Sequence, residues 1–152
     1  MLVKATLSFA MKLPPKPANP IHETLVAFRN AVRHVVNWCI ENRVVNLARV
    51  HRSLYYRLRE AYRLPARLTL DAVRQGIWIA KSWLRNPKHG RRPVIRKLSM
   101  ILTPKQSYSF SWTEASILTV EGRKVIYWFM LNVGMESIGI EKLRRLDSYQ
   151  IG

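Results

Sequence analysis

Acidic residues are scarce in this 152-residue chain: nine Asp and Glu stand against 26 Lys and Arg, a formal net charge of +17. Self-repulsion at that charge opposes compaction, and solubility does not require it. The usual reason to carry it is a polyanionic partner, because each neutralised phosphate releases condensed counterions. RNA or DNA is therefore the expected partner. Cysteine is almost absent. The one thiol, Cys39, excludes an intramolecular disulfide framework and a multi-cysteine zinc ribbon. Its place in an apolar helical stripe reads as a buried thiol rather than a nucleophile. Long hydrophobic runs are missing as well: the longest, Val125 to Leu131, is much too short to span a bilayer. The opening Met1-Leu2-Val3-Lys4 lacks the long apolar region of a signal peptide, so a cytoplasmic location without a membrane partner is expected. Six glycines scattered singly leave no phosphate-cradling loop. The histidines at 22, 34, 51 and 89 show no metal-ligand spacing, and neither a Ser-His-Asp nor a Cys-His constellation can be assembled. No catalytic residue, metal or cofactor is expected.

What the chain does have is 48% hydrophobic residues, enough for a folded core in one domain or two small lobes. Residues 2–12 alternate and are rich in β-formers around Val3, Thr6, Leu7 and Phe9, which predicts a strand. Pro14, Pro15, Pro17 and Pro20 then impose a stiff, extended linker. Asn19-Pro20 reads as an N-cap followed by proline at N1, with Glu23 in the first turn. Ile21, Leu25, Phe28, Val32, Val35 and Cys39 recur at spacings of three and four, one face of a helix running to about Arg43. A second helix over 47–62 has Leu47, Val50, Leu54 and Leu58 as its inner face. Leu64-Pro65 breaks it, and Leu70, Val73, Ile77, Ala80 and Leu84 repeat the pattern until Asn86-Pro87. Trp38, Trp78 and Trp83 are read as holding these helices together. Short β-type runs follow at 98–102, 107–112, 116–120 and 123–131, with a hairpin turn at Glu121-Gly122. The tail at 135–147 reads as a short helix, weakened by Gly139.

The expected class is α+β: a small split β-barrel with an inserted three-helix bundle. Residues 1–13 and 93–152 would form the barrel-like domain, 19–86 the helical lobe, and 87–92 a basic connecting loop. A duplex would fit the groove between the two lobes.

Two elements carry the charge. Arg85, Lys88, Arg91, Arg92, Arg96 and Lys97 form the densest basic run, with no acid in it. Such a loop suits tracking of a phosphate backbone; a solvated charge run is the alternative. On the second helix Arg52, Tyr56, Arg59 and Arg63 share one face, suited to phosphate contact and to stacking or groove contact by tyrosine. A merely charged helix surface is again the alternative. Arg29 and Arg33, four apart on the first helix, would complete a wall with Arg67 and Arg74 near the start of the third. Tyr108, Phe110 and Trp112 alternate with serines, as barrel core or as a base-stacking platform.

The order of these motifs resembles the N-terminal region of the TnpB (OrfB) proteins of insertion sequences, relatives of compact CRISPR nucleases. The similarity runs through Ala31-Val32-Arg33-His34-Val35-Val36-Asn37-Trp38 and Leu64-Pro65-Ala66-Arg67-Leu68-Thr69-Leu70-Asp71-Ala72-Val73. It continues through Ala80-Lys81-Ser82-Trp83, the Pro-Val-Ile-Arg-Lys element at 93–97 and Tyr108-Ser109-Phe110-Ser111-Trp112. Each motif is degenerate, and the specificity lies in their order. The resemblance implies a split barrel (the wedge domain) with an inserted recognition lobe, binding a guide-like structured RNA and duplex DNA beside the target. It also implies that Arg67 and Arg74 face that duplex. In the family, cleavage belongs to a RuvC-like domain with three separated carboxylates and divalent metal. Here only Gly139-Ile140-Glu141 superficially resembles that domain's opening Gly-Ile-Asp-like strand, and Asp147 alone remains as a further carboxylate. A binding module without a complete nuclease is the expectation. Its alternatives are one half of a split nuclease completed in trans and a general structural RNA-binding protein. A barrel ending at Gly152 would lack closing strands, so an edge covered by the tail helix, a partner chain or a second copy is expected.

Overall fold

The computed structural model describes residues 19–86, 88, 90–111 and 114–127. The strand expected at 2–12, the tail at 135–147 and Trp112 lie outside the described residues. Within them the chain is α+β: three helices, α1 (Pro20–Asn42), α2 (Leu47–Tyr62) and α3 (Ala66–Arg85), precede three strands. These are β1 (Tyr108–Phe110), β2 (Glu114–Thr119) and β3 (Gly122–Tyr127), joined in one antiparallel sheet of order β1-β2-β3.

Local chemistry sets the helix ends. The Asn19 side chain accepts from the backbone N–H of Ile21 (3.0 Å) and His22 (3.4 Å), and Pro20 occupies the first turn, where its missing N–H costs nothing. α1 stops at Arg43, which adopts the left-handed conformation (φ 52°), while the Val44 N–H returns to the Cys39 carbonyl at 3.1 Å. Asn46 caps α2 by accepting from the Arg49 N–H at 3.1 Å, and Arg63, again left-handed, ends it. Pro65 fixes the start of α3, and Thr69 Oγ1 donates to its carbonyl at 3.1 Å.

The core is a single apolar cluster shared by the helices: Phe28, Val32, Val35, Val36 and Cys39 from α1, Val50, Leu54 and Leu58 from α2, and Leu68, Ala72, Val73, Ile77 and Ala80 from α3. α1 and α3 touch at Gly76, where an added Cβ would stand 2.5 Å from Val35 Cγ1. The stripes expected on α1 and α2 are buried with two departures. Leu25 is half-buried, and Leu47, read as part of the inner face, is 43% exposed because it begins the helix beyond the reach of the bundle. Of the stripe expected on α3, Val73, Ile77 and Ala80 are buried, while Leu70 and Leu84 at its two ends are half-buried. α3 packs against both α1 and α2, so its buried arc is wider than the expected stripe and also takes in Leu68, Thr69, Ala72 and Gly76. Trp78 departs from expectation. It does not hold helices together but lies 71% exposed on the outward face, whereas Trp38 and Trp83 pack against the core as expected.

Residues 98–102, expected to be a strand, are irregular. Their alternation is present, but it serves packing: Met100 and Leu102 press on the helical core while Ile101 between them is exposed. The β2–β3 hairpin turns one residue earlier than expected. Thr119 pairs with Gly122, leaving Val120-Glu121 as the loop, and Gly122 takes the positive φ (98°) that closes it. Thr119 Oγ1 accepts from the Glu121 N–H at 3.3 Å and donates to the Gly122 carbonyl at 2.7 Å.

The described strands dock on the helices. The Val120 N–H donates to Thr24 Oγ1 of α1 at 2.9 Å, and Leu118 and Val120 pack on the helical core. A second tie is the buried carboxylate of Asp71 on α3, which is 5% exposed. It pairs with Arg67 at 3.1 Å and accepts from Ser107 Oγ (3.2 Å) and Thr103 Oγ1 (3.3 Å) at the entry to β1.

Candidate nucleic-acid interface

Burial of Val50, Leu54 and Leu58 fixes the rotation of α2 and so fixes what its other side presents. Arg52, Tyr56, Arg59 and Arg63 are all exposed there, Tyr56 by 77%. An aromatic ladder stiffens this helix: His51 stacks on Tyr55 (ring centroids 4.5 Å apart), Tyr55 meets the edge of Tyr56 (5.3 Å), and the Arg59 guanidinium lies 6.0 Å from the Tyr55 centroid. Beside it runs an open groove of about 730 Å³ lined by Asn46, Leu47, Ala48, His51, Arg52, Tyr56 and Leu70. Leu70, its wall on α3, lies one turn before the exposed Arg74, so the outward faces of α2 and α3 adjoin.

Residues 92–96 of the basic segment run along α1, meeting Glu41, Arg33 and Arg29 in turn. Arg85, Lys88, Arg91, Arg96 and Lys97 are exposed. Arg92 finds a carboxylate on another element: its Nη1 lies 2.9 Å from Glu41 Oε1 of α1, an exposed pair of small energetic weight. Arg33 Nε donates to the Ile95 carbonyl at 2.8 Å, and Arg29 Nη1 donates to the Arg96 carbonyl at 3.4 Å. Trp83 Nε1 donates to the Arg91 carbonyl at 3.3 Å. Arg29 and Arg33 thus strap the segment to α1 at residues 95 and 96, while Arg92 reaches the same helix further on, at Glu41. Arg67 is likewise engaged within the protein, by Asp71 and by a 2.6 Å bond from its Nη2 to Thr103 Oγ1. Arg74 is exposed on the outer face of α3.

A second open cavity, of about 500 Å³, lies between α1 and α2, lined by Asn30, Arg33, His34, Asn37, Trp38, Glu41, Arg57 and Tyr62. His34 Nδ1 lies 3.3 Å from the Tyr62 hydroxyl. Burial holds the imidazole pKa below its ordinary value; Arg57 adds to this and Glu41 opposes it. The Cys39 thiol is buried in the core and is pushed up to about 11 by loss of solvation.

Sequence reasoning missed two residues. Asp71 carried a signal, its four-residue spacing from Arg67, but the hydroxyl donors at 103 and 107 lie on a distant loop. Trp78 carried another: it follows Arg74 by four residues and precedes Lys81 by three, which places it among cations. No protein-family model matches the chain, and no solved structure matches it significantly. Among the described residues, no helix is long and apolar enough to cross a membrane.

Proposed function

We propose that the chain is a cytoplasmic nucleic-acid-binding module, resembling the wedge and recognition-lobe half of TnpB-type proteins, that holds structured RNA and target-adjacent duplex DNA without cleaving them. The observation that carries this reading is the outward face of α2 and its continuation on α3. Arg52, Arg59, Arg63 and Arg74 are exposed there beside Tyr56, and among the described residues none has the acid pairing that occupies Arg67 and Arg92. Guanidinium groups left exposed next to an open aromatic ring are what a phosphate backbone and its sugars require. The basic segment 85–97, strapped to α1, extends the same surface, and the formal charge of +17 supplies long-range attraction. On this reading the three-stranded sheet is the described part of a split barrel, and a partner chain or second copy covers its open edge. The test is a salt titration of binding to duplex DNA and to a structured RNA, by the wild type and by a variant with Arg52, Arg59 and Arg63 replaced by glutamine. The variant is expected to bind both more weakly and with a shallower salt dependence.

A further inference from the structure

We propose that the outward face of α3 is a stacking site for an unpaired nucleotide base, with Trp78 as the platform and Arg74, Lys81 and Arg85 holding the flanking phosphates. This rests on the nucleic-acid reading above and deepens it, adding a preference for single-stranded segments set by Trp78, a side chain which that reading does not use. Trp78 is 71% exposed, the largest side chain of the helix turned to solvent, while the core closes without it. Arg74 lies one turn before it, Lys81 one turn after and Arg85 two turns after, all exposed, at about 6, 4.5 and 10.5 Å along the axis. The one carboxylate on α3, Asp71, is buried and engaged by Arg67, so it does not neutralise this face.

The combination selects its ligand. An exposed indole offers a π-face of a size that matches a base, and cations within a turn on either side offer the sites that a sugar–phosphate backbone needs. In a duplex the base faces are already stacked on one another, so only a loop, bulge or overhang can present one to Trp78. The site also has a feed. The groove lined by Arg52, Tyr56 and Leu70 joins α2 to α3, and Leu70 lies one turn before Arg74. A duplex lying on α2 would direct its unpaired continuation across Leu70 and onto Trp78.

The experiment compares a blunt RNA duplex of two annealed strands with the same duplex carrying a single-stranded uridine overhang, binding being followed by fluorescence anisotropy. The full chain is used as wild type, Trp78→Ala and Trp78→Phe. The wild type should prefer the overhang. Trp78→Ala should lose roughly tenfold in affinity for it and leave the blunt duplex unchanged, while Trp78→Phe keeps most of the preference. Equal loss on both probes, or no loss on either, would overturn the site while the wild type's binding preserves the parent reading. A change from dimer to monomer in Trp78→Ala by light scattering would also overturn it, making Trp78 a contact between copies. If the wild type binds neither duplex, the nucleic-acid reading itself falls and takes this site with it.

Discussion

Replacing Gly76 with alanine tests how α1 and α3 are fitted together. The added Cβ would stand 2.5 Å from Val35 Cγ1, 2.6 Å from Val35 Cβ and 3.3 Å from the Val32 carbonyl oxygen. Carbon atoms in contact prefer about 3.5–4.0 Å. Rotating the valine moves Cγ1 but leaves Cβ in place, and a β-branched residue in a helix has essentially one rotamer. The helices must therefore part by about 1 Å, loosening the apolar contact that Val32, Val35, Val73 and Ile77 share. Overpacking of this kind costs about 1–3 kcal/mol, and the helix gains about 1 kcal/mol from exchanging glycine for alanine. With the clash on an immovable atom the cost lies at the top of its range, a net loss of about 2 kcal/mol. For a chain of this length that lowers Tm by about 4–8 °C, read by circular dichroism. Gly90→Ala, whose Cβ would meet nothing within 4 Å, is the control and should leave Tm unchanged. A Gly76→Ala protein that melts at or above the wild-type temperature would refute the reasoning, since helix propensity would then act unopposed and the helices would stand further apart.

Two other perturbations probe the joints of the fold. Asp71→Ala leaves the Arg67 guanidinium half-buried without its carboxylate and removes the acceptor for Ser107 and Thr103, so urea unfolding should show a loss of about 3 kcal/mol; a loss below about 1 kcal/mol would mean that the cluster does not bind the sheet to α3. Cys39, at about 11 when folded against 9.0 ordinarily, ionises first in the unfolded chain, so its contribution to stability is intact below pH 9 and is lost as pH rises toward 11. Cys39→Ala should remove that part of the alkaline decline, and the wild-type thiol should react with alkylating reagents only as fast as the chain unfolds.

The helix boundaries were legible because the signals that set them are local. Asn19-Pro20, Leu64-Pro65 and Asn86-Pro87 start or stop helices by capping and by the geometry of proline, whatever packs around them. The phase of α2 was legible at Val50, Leu54 and Leu58, and that of α3 at Val73, Ile77 and Ala80. The full width of the α3 arc was not, because Leu68, Ala72 and Gly76 are buried beside that stripe, and Trp78 was misplaced. At 98–102 the alternation correctly marked extended chain with one apolar side, but whether such a segment joins a sheet depends on the backbone that lies alongside it. The basic surface was legible as charge alone. Arg29, Arg33 and Arg67 find acceptors inside the protein at Arg96, Ile95 and Thr103, tens of residues away in sequence, and nothing in their spacing distinguishes them from the exposed arginines of α2.

The central claim is that the outward face of α2 contacts phosphates, and the salt dependence of duplex DNA binding tests it most directly. Each phosphate contact contributes about 0.9 to the slope of log K against log salt, so the Arg52, Arg59 and Arg63 to glutamine variant should lose up to about 2.7 from that slope. A variant of equal net charge, with Lys105, Arg123 and Lys124 of the sheet region replaced by glutamine, should keep the wild-type slope. If both variants lose the same amount, binding is general attraction to a basic chain and the α2 face is not the interface.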